Sequence, residues 1–289
     1  MIIPANNNSF EKYILVLMTM IEEQKGVSEA ENTLEDLGID QLPIVPSEVV
    51  NIISSDDFKV VMEVHDFSSK KILGKAEGND SAALIYLNKN IPGTGRFNFT
   101  AAHEIGHVCM HIMPQKKMFF ECGSKELSNP FDDPVEQQAN GFASGLLMPK
   151  QLICGLSDGE INWENINIIS CKCASSLEAT FRRMLLLTKE PFALVIHHNG
   201  KYKRFVASDN FDFYINNSPL SFDQKELLVD VKKQSYPSDF DEMDASDWVN
   251  PQYRGDTLEG LYVSSIMLNE KFFYSLLTYD DECFSEQCD

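Results

Sequence analysis

The chain has no apolar run long enough to cross a bilayer. Its longest N-terminal stretch, Tyr13 to Ile21, is interrupted by Thr19, and about 20 apolar residues are needed to span. No basic segment or small-residue cleavage site accompanies it, so the run is read as a buried helix of a cytoplasmic protein with no membrane contact. There is no C-x-x-C pair among the seven cysteines, and Cys171-x-Cys173 has the wrong spacing for a zinc knuckle. Free thiols in a reducing compartment are the expectation, with no second metal site built from them. Basic residues are scarce: 24 against 44 acidic ones, for a net charge of −20. Such a chain repels phosphate backbones, so no direct nucleic acid binding is expected, whereas a basic protein partner would be drawn to it. Solubility alone also accounts for the acidity.

Repeats and low-complexity tracts are also missing, and 289 residues suffice for one large domain or two small ones. A helical region runs from about Phe10 towards Leu37 and is closed by Gly38. After a linker, Pro46-Ser47 starts a short helix to Ile53. Three strand-like segments follow, Phe58 to Val64, Ile72 to Glu77 and Ala82 to Leu87, with Gly78-Asn79-Asp80 as turn chemistry between the last two. A helical period spans Phe97 to Met113. Asp133 then caps a helix with Pro134 at its first position, and this helix runs through Val135 to Leu147. Two more helices cover Trp163 to Cys171 and Ser176 to Thr188.

From Pro191 the period becomes that of strands. Phe192 to His197 and Tyr202 to Ala207 flank Asn199-Gly200, a strong hairpin signal. A helix from Phe222 to Lys233, an acidic loop from Asp239 to Asp247 and a second hairpin, Leu261 to Met267 with Phe272 to Tyr279, complete the chain. The expected architecture is α+β: a mainly helical part with a small sheet over residues 1–190, then a smaller β-rich part over 191–289.

The chemistry concentrates at His103-Glu104-Ile105-Gly106-His107. Residues four apart share a helix face, so His103 and His107 can grip one ion, while Glu104, one position round, can act on a water there as general base. The bare H-E-x-x-H pattern arises by chance in about one in a hundred chains of this length, so its surroundings must decide. A catalytic zinc site wants a third protein ligand. The H-x-x-G-x-x-H continuation that supplies one in some zinc peptidases is absent. Glu136, in the first turn of the Val135 helix, is the candidate; an acidic residue there is equally at home simply on the helix dipole. Asp132 and Asp133 lie nearby and suit capping better than ligation.

Two motifs together are more specific. Phe99-Thr100-Ala101-Ala102-His103-Glu104-Ile105-Gly106-His107, followed by Glu136-Gln137-Gln138-Ala139-Asn140-Gly141-Phe142-Ala143 and Leu146-Leu147-Met148-Pro149, resembles the ImmA/IrrE family of metallopeptidases. The likeness is strongest from Phe97 to Pro149. It implies a zincin-like catalytic fold, metal bound by His103, His107 and Glu136, and Glu104 as general base. It also implies a protein substrate, a helix-turn-helix transcriptional repressor whose cleavage releases its target genes. Zinc is the implied ion, and a two-His, one-Glu site also accepts Mn2+. The strand Ala82 to Leu87 is the expected edge for an extended substrate.

Other residues read more plainly. His111 continues the four-residue spacing, but the helix has advanced past a single ion by then, and a core or supporting histidine is expected. His65, His197 and His198 carry no motif. The Trp163 to Thr188 helix pair has a helix-turn-helix outline with Arg182 and Arg183 on its second helix, yet no basic stripe accompanies it, so packing is the expected role. Arg183 could instead assist a substrate or oxyanion. The alternative function is a partner-binding regulator or toxin–antitoxin component in which cleavage is secondary or lost, and a weaker one is hydrolysis of a non-peptide bond.

Overall fold

A computed structural model describes residues 7–67, 69, 71–115, 118–123, 133–234, 236–253 and 256–284; the side chains of 7–20, 122, 123, 253 and 256 are not among them. Asp132, Cys288 and the side-chain burial of Tyr13 to Met20 therefore lie outside the described residues. The fold is α+β and divides into two compact units, residues 1–157 with 169–176, and residues 158–168 with 177–289.

The first unit opens with helix α1 (Asn7–Leu37), ended by Gly38 at φ 67°, and α2 (Pro46–Ile53). Strands β1 (Lys59–His65), β2 (Ile72–Gly78) and β3 (Ala82–Asn88) follow, then α3 (Thr94–His107), β4 (Phe119–Gly123), α4 (Pro134–Leu147) and α5 (Lys150–Ile153). The turn between β2 and β3 closes as its composition requires, because Asn79 Oδ1 accepts from the Ser81 and Ala82 backbone N–H groups. The sheet order is β1-β3-β2-β4, with β1 parallel to β3 and the other pairs antiparallel. This corrects one expectation. β3, the strand Ala82 to Leu87, sits between β1 and β2, so both its backbone edges are bonded and it offers none to a substrate.

The helical period read from Phe97 to Met113 is continuous, but its hydrogen bonding changes at His107. There α3 gives way to a π-helical turn, Val108 to Ile112, closed by Met113 N–H to Val108 O at 2.9 Å. The wider turn lets Val108, His111 and Ile112 all face the interior.

Helices α1 and α4 approach backbone to backbone. A methyl group at Gly26 would lie 2.0 Å from Gln138 O, and one at Gly141 would lie 2.0 Å from Glu23 O. Bare glycines on both helices are what allow this contact. α4 also starts cleanly: Asp133 accepts from Val135 N–H at 2.9 Å, with Pro134 in the first turn.

The second unit takes in most of α6 (Trp163–Lys172) and α7 (Leu177–Leu185), followed by β5 (Phe192–His198), β6 (Lys201–Ala207), α8 (Phe222–Gln234), β7 (Asp241–Asp244), α9 (Ala245–Trp248), the short strands β8 (Gln252–Tyr253) and β9 (Asp256–Thr257), β10 (Gly260–Leu268), β11 (Phe272–Thr278) and a 3-10 turn, Asp281–Cys283. Its sheet is antiparallel, in the order β6-β5-β11-β10-β7. The β5–β6 turn places Asn199 and Gly200 at φ 53° and 73°, the left-handed pair an Asn-Gly hairpin uses. The acidic segment expected as a loop carries β7, paired to β10 at the sheet edge. Its side chains are mostly exposed, and such charges deter further edge pairing. Trp248, Phe273, Leu261 and Val263 anchor this unit's core. Among the described residues Cys109, Cys154, Cys171, Cys173 and Cys283 form no disulfide, and no helix is long and apolar enough to cross a membrane.

Two predictions follow from packing and burial. Gly141→Ala gains about 1 kcal/mol in helix propensity but must push the Glu23 carbonyl away, an overpacking cost of roughly 1–3 kcal/mol or more. A lower denaturant midpoint with an unchanged slope is expected; an unchanged midpoint would show that the helices part without cost. His197, 2% exposed between Trp248 and Phe273, is pushed down to about 4 from 6.5 by burial. The unfolded chain takes up this proton first as pH falls. Stability is therefore fully present above about pH 6.5 and declines towards pH 4, by up to roughly 3 kcal/mol. His197→Phe should flatten this acid sensitivity in melts at pH 7 and pH 5, and an equal pH slope in both proteins would refute it.

Candidate metal centre

The first unit brings His103, His107 and Glu136 together, with their ligand atoms all within 4.8 Å of one another. Both histidines are fully buried on the last turn of α3, and Glu136 is 9% exposed in the first turn of α4. His103 Nε2 and His107 Nε2 are 3.0 Å apart; Glu136 Oε2 lies 3.2 Å from the first, and Oε1 lies 3.5 Å from the second. The close crossing of α3 and α4 depends on Gly106, where a methyl group would lie 2.9 Å from Phe142 Cβ.

Which ring nitrogens carry protons follows from their partners. His103 Nδ1 lies 3.0 Å from Asn140 Oδ1, an acceptor, so it donates and leaves Nε2 bare. On the other ring, His107 Nδ1 faces His111 Nδ1 at 3.2 Å, and His111 Nε2 donates to Gln138 Oε1 at 3.0 Å. A neutral His111 must then accept through Nδ1, so His107 donates there and its Nε2 is bare too. Two lone pairs thus converge, at 3.0 Å, with a carboxylate. That donor set asks for a cation, and two imidazole nitrogens with a carboxylate are ligands suited to zinc.

Charge states agree. Burial pushes the Glu136 carboxyl up, but the facing His103 and His107 imidazoles outweigh it and hold it well below the usual carboxylate range. His107 is pushed down to about 3, chiefly by burial. Both groups are therefore in their ligating form at neutral pH.

Glu104 is fully buried, and neither carboxylate oxygen has a hydrogen-bond partner among the described residues. Burial, followed by the Glu136 charge, pushes its carboxyl well up. An isolated buried carboxylate is costly, which marks a group retained for something it does. Its space is made by β2: a methyl group at Gly74 would lie 2.3 Å from Glu104 Oε1 and 2.9 Å from both Cδ and Cγ. A glycine inside a strand pattern was the available signal of such close approach. β4 supplies a further contact that the sequence pattern did not disclose: the Phe120 ring stacks on His107 at 4.0 Å between centroids and 15° between planes.

The remaining residues fall away from the cluster. His111 is not one of the three grouped ligands; it supports His107 from behind. His65 is exposed, His198 packs on Phe272, and His197 lies in the second unit's core. On α7, Arg183 is buried and Arg182 pairs with Glu178 at 3.3 Å.

Residues 56–172 match the model of the Peptidase_M78 family, described as the IrrE N-terminal-like domain, as the two sequence motifs imply. Among solved structures, a Mycobacterium tuberculosis transcriptional regulator is similar at a TM-score of 0.52 and 12% identity, over 88% of this chain and 75% of that one, a likeness of fold. No curated protein matches the chain in sequence.

Gly74→Ala should displace Glu104 while leaving His103, His107 and Glu136 in place. Zn2+ affinity is expected to stay within about twofold of the parent, and any hydrolytic activity to fall roughly 100-fold, the scale of a 1 Å misplacement. Retention of full activity would show that Glu104 has room to spare.

Proposed function

We propose, starting from residues 56–172 as a Peptidase_M78, IrrE N-terminal-like domain, that this chain is a metal-dependent endopeptidase. The observation that carries the reading is the convergence of two bare imidazole nitrogens and the Glu136 carboxylate beside the unpartnered Glu104. His103, His107 and Glu136 would hold the ion, zinc by preference and manganese as a substitute. When bound, the ion supplies Lewis acidity, which acidifies a water and polarises a peptide carbonyl. Glu104 takes the proton from the attacking water and later delivers it to the leaving amine. Asn140 and His111 hold the two imidazoles in the tautomer that leaves Nε2 bare.

The substrate class is a protein, and by resemblance a helix-turn-helix repressor, so that cleavage controls gene expression in the cytoplasm. A basic repressor would be attracted by the net charge of −20. The similar mycobacterial protein is itself titled a transcriptional regulator, which favours a regulatory setting. Direct DNA contact through α7 is disfavoured, since Arg183 is buried and Arg182 is paired. The β-rich part from Pro191 onward is read as a scaffold or regulatory module.

Glu104→Gln tests the assignment. It should retain bound Zn2+ and partner binding but lose cleavage of a candidate repressor by about 10²–10⁴-fold, followed by mass spectrometry. Undiminished cleavage by the variant would overturn the mechanism, and binding without cleavage by the parent would favour the sequestering regulator.

A further inference from the structure

Asn140 holds His103 in one step from α4, but His107 is held through three residues, and the last of them lies outside the family-matched segment. His107 Nδ1 donates to His111, His111 Nε2 donates to Gln138 Oε1, and the Gln138 amide N–H donates to Glu22 Oε2 on α1. The direction of every bond is forced from the far end. A carboxylate only accepts, so Gln138 must turn its nitrogen to Glu22 and its oxygen to His111. That in turn fixes the His111 tautomer and then the His107 one.

The chain is built into the packing. His111 is 2% exposed, and the π-helical turn that follows His107 turns it inward. Glu22 is anchored on its other oxygen by Lys25 at 2.6 Å. Gly26, one helical turn beyond Glu22, allows α1 to lie against the Gln138 backbone itself. Chained hydrogen bonds polarise one another, so the carboxylate at the end strengthens the acceptor behind the His107 N–H. A carboxylate or other acceptor behind a ligating histidine fixes its ring and raises its basicity.

We infer that α1 is a working part of the metal centre: Glu22, through Gln138 and His111, positions His107 and sets the affinity of the site for its ion. All three are positioning residues, none touching the ion. The inference rests on the metal-site reading above, and the regulatory corollary is direct. Whatever lifts α1 from α4 disconnects His107 from its carboxylate and loosens the metal.

Full-length protein stripped of metal would be titrated with Zn2+ against a chromophoric chelator and with Co2+ by visible absorption. His111→Phe should weaken Zn2+ affinity by about 10–100-fold and alter the Co2+ spectrum, whereas His111→Gln, which keeps an acceptor, should recover most of the loss. Glu22→Ala should weaken affinity less, by several-fold and under about tenfold, with Glu22→Gln, which can still accept but is uncharged, recovering only part of it. Should His111→Phe fail to fold, the Glu22 pair, at a partly exposed position, carries the test alone. Equal affinities and spectra in the parent and Glu22→Ala would overturn the inference while leaving the metal site standing. A parent that binds neither ion would overturn the metal reading, and this one with it.

Discussion

The first unit is organised round one constraint: two imidazoles and a carboxylate held with their lone pairs facing one another in a buried interior. Without a cation that arrangement is repulsive, so it persists only because the surroundings over-determine it. α3 fixes the spacing of His103 and His107, α4 brings Glu136 and Asn140, and β4 lays Phe120 flat on one ring. The glycines at 26, 106 and 141 are the small parts that let these elements come close enough.

Much of this was legible in the sequence, for physical reasons. H-E-x-x-H on a helix puts two imidazoles on one face with a carboxylate one position round, and an acidic residue behind an Asp-Pro cap is placed within one turn of a helix start. The Asn-Gly and Gly-Asn-Asp turns likewise state their conformation locally. What escaped was non-local. The order β1-β3-β2-β4 inserts β3 between a parallel partner and an antiparallel one, and no period within Ala82 to Leu87 reports which neighbours it will have. β4 is five residues long and shows too little alternation to stand out. β7 was hidden by its own acidity, since edge strands carry charge that reads as loop.

The supporting residues illustrate a second kind of invisibility. Gln138 and Glu22 are separated by 116 positions, and no motif spacing ties Glu22 to the cluster. Gly74 looks like a weakness in a strand until Glu104 is placed above it. Motifs disclose the atoms that react. The groups that aim those atoms emerge only from packing.

The way the chain is apportioned has a consequence for modularity. Residues 158–168 belong to the second unit, yet 169–176 return to the first before 177 onward completes the second, and α6 is divided in the process. No single cut yields both units whole. On the ribosome the first unit is still incomplete when the first piece of its companion has been made. A cut at any one junction would therefore split at least one of the two units.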